Sequence, residues 1–155
     1  VMGRPEGAGC YCAANNIIRK YMDKLADSYP WTVMDNEAGL EHLSRRTTQD
    51  TDLLLVITDS SVRGIMTAGR IAELVQDLKL NVKRVVLIVN RVQAGTEGDP
   101  ALTHAIEQQG VEFAGFVPAD DLIFEYDLNG KPLIQLPQDA KALTGYYAIL
   151  DRLVP

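Results

Sequence analysis

The chain has 155 residues, 46% of them hydrophobic and 23% charged, with a formal net charge of -6 and a pI near 4.8. That length suits one domain with a real core, and the acidic balance excludes electrostatic attraction to nucleic acid or an anionic membrane as the default, because phosphate surfaces repel the average face. No apolar run approaches the roughly 18 to 20 residues of a helical membrane span, no signal peptide opens the chain, and two cysteines one residue apart cannot build a secreted disulfide framework, so a reducing cytoplasm is the expected compartment.

The opening "VMGRPEGAG" reads as a strand end entering a Gly/Pro loop. "AANNIIRKYMDKLADSY" then sets Ile17, Ile18, Tyr21, Met22 and Leu25 on one face at helical spacing. "WTVMDNEAGLEHL" begins as a short apolar strand and ends in acid and glycine. "TDLLLVITD" is a continuous apolar run of strand length, the pattern of a strand buried on both faces. An amphipathic helix follows in "GIMTAGRIAELVQDLKL", with Ile65, Ala68, Ile71, Ala72, Val75 and Leu78 apolar. "KRVVLIVNRV" is a second buried strand. "DPALTHAIEQQG" starts on an Asp-Pro signal and stops at Gly110, which predicts a helix. "EFAGFVPAD" is a third strand, and "DAKALTGYYAILDRLV" is a last helix. Strands and helices alternate at about 30-residue spacing, as in βαβ units. The expected fold is therefore α/β, a doubly wound and mostly parallel sheet with helices on both faces, formed by residues 1–155 as a single domain.

In such a sheet ligands bind beyond the carboxyl ends of the strands. Three ends carry usable chemistry. In "TVMDNEAG" the strand delivers Asp35, with Glu37 and Gly39 beyond it. A carboxylate there can hold magnesium through water, and a glycine lets a backbone N–H approach a terminal phosphate; a plain strand-end aspartate is the alternative. In "VLIVNRV" Asn90 leaves a buried strand, and its amide offers a donor and an acceptor to the edge of a purine, or else simply ends the strand in a turn. In "GFVPADD" Pro118 sets the chain direction, and the loop after it either lies against a base or connects strand to helix with an aspartate cap. Together these ends resemble the back half of a P-loop nucleotide hydrolase. The phosphate-cradling G-x-x-x-x-G-K-[ST] is absent from the 155 residues, and the one Gly-Lys, in "NGKPL", reads as a turn.

"GAGCYCAANN" holds Cys10 and Cys12, the chain's two cysteines. Three readings stay open. They are small buried hydrophobes, or a redox pair closing a very small strained ring, or half of a metal site. A two-fold dimer that brought two such loops together would assemble four sulfurs around one ion, tetrahedral for zinc or square-planar for nickel.

"GCYCAANN" together with "MDNEAGLEHLSRRT" resembles the nickel-insertion ATPases that mature carbon monoxide dehydrogenase (the CooC type), within the class of septum-site (MinD), plasmid-partition (ParA) and nitrogenase iron-protein ATPases. The resemblance spans the chain but only the C-terminal portion of such a family member, whose P-loop and first switch would lie upstream of Val1. It implies that Asp35 is the Walker B acid, holding Mg2+ through water, and that Glu37 and Gly39 belong to the second switch. It implies that Asn90, Arg91, Val117, Pro118, Ala119 and Asp120 frame the adenine of ATP or ADP. It also implies that Cys10 and Cys12 bind Zn2+ or Ni2+ across a homodimer that serves a carbon monoxide dehydrogenase-type client, with no nucleic-acid or membrane partner. The 155 residues alone are then expected to hydrolyse ATP poorly. The rival expectation is a non-catalytic partition-type or regulatory nucleotide-binding module with a redox or structural Cys-x-Cys.

Overall fold

The computed structural model describes Tyr21, residues 28–36 and residues 51–154. The chain divides into two compact units, Val1–Thr48 and Gln49–Pro155, and nearly all described structure belongs to the second. Its elements are strand β1 (Thr51–Thr58), helix α1 (Val62–Asp77), strand β2 (Val82–Val92), helix α2 (Pro100–Glu107), strand β3 (Glu112–Pro118), helix α3 (Asp121–Leu128), a single 3-10 turn (Leu133–Gln135) and helix α4 (Lys141–Leu153). The three strands form a parallel sheet in the order β1-β2-β3, with Val56 opposite Leu87 and Val89 opposite Phe116. Parallel neighbours need a crossover, and α1 and α2 provide the two.

Side-chain caps start helices α1 and α2, and α1 begins at Val62, two residues before the expected segment. Ser61 caps α1, its hydroxyl accepting from the Gly64 amide at 3.0 Å. Asp99 caps α2, accepting from the Ala101 amide at 2.7 Å, and Pro100 occupies the first turn, where its missing N–H costs nothing. Gly110 follows α2 at φ 63°, a left-handed position that glycine takes without a Cβ penalty. Helix α3 has no such clear pattern in the sequence. None of its residues is buried, and Asp120 as its cap is the one local signal for it.

The sheet is covered on both faces, as the α/β expectation requires. On one face Ile88, Val117, Ala142 and Ile149 form a buried cluster between the sheet and α4, with Leu55 and Ile123 packed against it. Helices α1 and α2 contribute buried Ile65, Ala68 and Val75, and Leu102, Ala105 and Ile106, and α1 packs against β1, β2 and α2. Strand β2 is the centre of this core: Val86 to Val89 are all completely buried. Residues 31–36, expected as a strand, form irregular chain instead, with Trp31 and Val33 exposed. A strand exists only within a hydrogen-bonded ladder, and no described strand pairs with this segment.

Candidate functional site

The carboxyl edge of the sheet is where β2 and β3 end, and its shape follows from an irregularity in their pairing. The register shifts between Val89 and Val92, so Asn90 and Arg91 leave the ladder before Val92 rejoins it opposite Pro118. Such a bulge re-aims side chains at a sheet's rim. Arg91 sits at φ 55°, a left-handed conformation that costs a non-glycine residue energy and recurs at functional loops. The Arg91 amide donates to Asn90 Oδ1 at 2.8 Å. Among the described residues Asn90 Nδ2 has no hydrogen-bond partner, so this half-buried side chain presents a donor at the sheet edge.

Beside it, the loop from Val117 to Asp120 is held at three points. Val117 is buried in the core cluster. The Ala119 amide donates to the Val92 carbonyl at 2.8 Å, lacing the loop to the end of β2. Asp120 uses both carboxylate oxygens: Oδ1 accepts from the Leu122 amide at 3.0 Å and Oδ2 from the Ala142 amide at 3.1 Å. One side chain thus caps α3 and ties it to the first turn of α4. The Ala142 amide is the largest cause of a carboxyl pKa held below the usual aspartate value, opposed by partial burial and supported by the Leu122 amide.

The end of β1 adds a feature that the sequence motifs do not single out. Asp59 Oδ1 accepts from both the hydroxyl and the amide of Ser61, at 2.5 and 3.0 Å, while that hydroxyl accepts from Gly64. These bonds lower the Asp59 pKa, the Ser61 hydroxyl most, and the positive charge of Arg91 contributes after them. A Cβ on Gly64 would fall 2.4 Å from Thr58 Oγ1 and 2.6 Å from Asp59 Oδ1, so glycine is what lets α1 start this close to the strand. The signal in the sequence was the "TDSS" that joins a strand to a helix, an Asx and Ser capping pattern.

Of the predicted residues, the fold brings Asn90 and Arg91 together with Val117, Pro118, Ala119 and Asp120 at one edge. Asp35 lies in the other unit's described segment, exposed and without a hydrogen-bonded or ionic partner among the described residues, next to Asn36, whose amide donates to the Met34 carbonyl at 3.4 Å. Glu37, Gly39, Cys10 and Cys12 lie outside the described residues. Among the described residues no three His, Cys, Asp or Glu side chains are grouped to hold a metal, and no helix is long and apolar enough to cross a membrane.

Comparison with solved structures decides the architecture. The MinD cell division protein of Aquifex aeolicus superposes with a TM-score of 0.72 at 19% identity, over 90% of this chain and 60% of that one. MinD of Pyrococcus horikoshii, solved with Mg-ADP, superposes with a TM-score of 0.66 at 16% identity, over 90% of this chain and 56% of that one. The fold is that of MinD. No family model matches the sequence. Among sequence relatives, an ATP-binding protein of Methanocaldococcus jannaschii is 42% identical over 154 residues, 99% of this chain and 60% of the relative. The carbon monoxide dehydrogenase accessory protein CooC of Rhodospirillum rubrum is 28% identical over 152 residues, 96% of this chain and 56% of CooC. The chain therefore spans less than two thirds of the length of these relatives.

Proposed function

We propose that this chain supplies the base-binding edge of a MinD-type ATPase that acts as a metallochaperone, inserting nickel into a carbon monoxide dehydrogenase-type enzyme. The observation that carries the nucleotide part is the Asn90 donor, without a hydrogen-bond partner among the described residues, set beside a loop fastened to both β2 and α4. A purine offers ring nitrogens as acceptors at its edge, and a donor held at the rim of a rigid sheet reads them without paying to become ordered. The M. jannaschii relative is described as ATP-binding and the P. horikoshii MinD was solved with Mg-ADP, and both support an adenine nucleotide and magnesium.

In this reading Asn90 Nδ2 donates to the adenine, and the Val117–Asp120 loop walls the base against water. The resemblance gives Asp35, an exposed residue, the role of holding magnesium through water, and gives Glu37 and Gly39 that of the second switch, which would answer to the terminal phosphate. Bound magnesium supplies charge neutralisation on the triphosphate. Nickel or zinc is the cargo, held by Cys10 and Cys12 of two chains, four thiolates in all. The similarity to CooC is what supports this cargo and its client enzyme. The cytoplasm is its proposed compartment and a homodimer its working state.

Two measurements test the reading. Calorimetry should show ATP binding that Asn90→Ala weakens; unchanged affinity removes the base contact. Metal analysis should find one nickel or zinc per two chains, lost together with dimerisation in Cys10→Ser and Cys12→Ser. One metal per monomer, or none in a protein that still binds ATP, leaves the regulatory-module reading in its place.

A further inference from the structure

Helix α4 approaches β3 more closely than side chains normally allow, and a glycine sits at each end of the contact. On the strand, a Cβ at Gly115 would lie 3.1 Å from both Cγ1 and Cδ1 of Ile149. On the helix, a Cβ at Gly145 would lie 2.7 Å from Cδ and 3.5 Å from Cγ of Pro118, and 3.8 Å from the Phe116 carbonyl oxygen. A separation of 2.7 Å is inside the distance that carbon atoms tolerate, and the pyrrolidine ring cannot swing aside as a flexible chain would. Glycine inside a helix also works against that helix, since alanine is the better former. Position 145 is therefore set by the approach of α4 to Pro118.

That approach couples to the rest of the loop. Three residues before Gly145, the Ala142 amide is bonded to Asp120, and Ala142 itself is buried with Val117 and Ile88. Further along α4, Arg152 Nη2 donates to the Ala114 carbonyl at 2.8 Å, fastening the helix to β3 again. Core packing is dense enough that a displaced helix moves what it touches. We propose that Gly145 is a positioning residue for the base site: by letting α4 seat against Pro118 it sets the height of the 117–120 loop over Asn90. The proposal rests on the nucleotide reading above and names a residue on a different element that tunes it.

The experiment compares the wild-type protein with Gly145→Ala and with Ala148→Gly, which weakens the same helix at an exposed position and adds no atom toward Pro118. Two readouts are taken. Amide resonances of Ala119, Leu122 and Ala142, recorded without nucleotide, report the loop itself. Dissociation constants for ATP and GTP report base selection. Gly145→Ala should displace all three resonances, weaken ATP by about tenfold and bring the ATP-to-GTP preference toward unity, and Ala148→Gly should leave both readouts at their wild-type values. A purely structural role would lower melting temperature while leaving base preference in place. Unmoved resonances in a folded Gly145→Ala, or the same changes in Ala148→Gly, overturn the proposal. Displaced resonances in a protein whose wild type shows no preference for ATP overturn the nucleotide reading instead, and with it the assignment of the loop to a base.

Discussion

Strands β1 and β2 carry nearly the same kind of sequence, "LLLVIT" and "VVLIV", and they meet different fates. In β2 four consecutive residues are completely buried, whereas in β1 Leu54 and Val56 are buried and Ile57 between them and the strand end stays 49% exposed. The difference comes from position. β2 pairs on both sides and is covered on both faces; among the described strands β1 pairs on one side, and its buried residues alternate. The two strand ends differ in the same way. Asp120, beyond β3 in a loop laced to β2 through Ala119, bonds across 22 residues of sequence to Ala142, while among the described residues Asp59 beyond β1 bonds to its near neighbour Ser61. An apolar run thus reports that a strand is buried somewhere, and its neighbours decide how deeply and what its end can anchor.

The largest effect that tests this contrast is in β2. Ile88→Ala should cost about 2–5 kcal/mol by chemical denaturation, because its pocket is closed by Val117, Ala142 and Ile149 and cannot collapse. Ile57→Ala should cost about 1 kcal/mol or less, since half of that side chain already meets water. Equal losses at the two positions would show that β1 is as enclosed as β2 and break the comparison.

Next in size is a helix cap. Asp99→Ala should cost about 0.5–2 kcal/mol through the Ala101 and Leu102 amides it leaves without an acceptor. A loss as large as that of Ile88→Ala would place the weight of the fold in local caps instead of the central strand.

Acid titration sharpens the comparison of the two strand ends. Asp120 and Asp59 both have folded pKa values below the ordinary one, so each contributes stability that is present above the unfolded value of about 3.9 and is lost as pH falls through the folded value. Asp120→Asn should flatten the loss of stability below about pH 4 more than Asp59→Asn, because its bonds join α3 to α4 and those of Asp59 span two residues. A steeper contribution from Asp59 would reverse the ranking of the ends.

The smallest effect on folding is expected at the surface of β1. Ile57→Lys should leave the denaturation midpoint nearly unchanged and lower self-association at high concentration, since a charge on a strand that pairs on one side among the described strands discourages pairing with another chain. Unchanged association in sedimentation would show that this strand is not the one that pairs.

Much of the site was legible because its parts are strand ends. A buried apolar run followed by Asn90, and another followed by Pro118, announce two loops at one edge once the sheet is parallel, and that follows from the alternation of strands with helices. The chain's own chemistry also placed the start of α2, since Asp99 needs only the amides two or three residues ahead. The strand expected at 31–36 failed for the complementary reason: its apolar residues are right for a strand, but a ladder needs a partner that composition cannot name. What the tertiary structure alone decided are the relations between distant positions. The bulge that turns Asn90 out of β2, the bond from Asp120 to Ala142 and the contact that requires glycine at 145 all join residues far apart in the chain. Local pattern measures what a residue prefers within a turn or two of its neighbours; these three features are set by distances across the sheet, and a distance across a sheet is fixed only when its elements have packed.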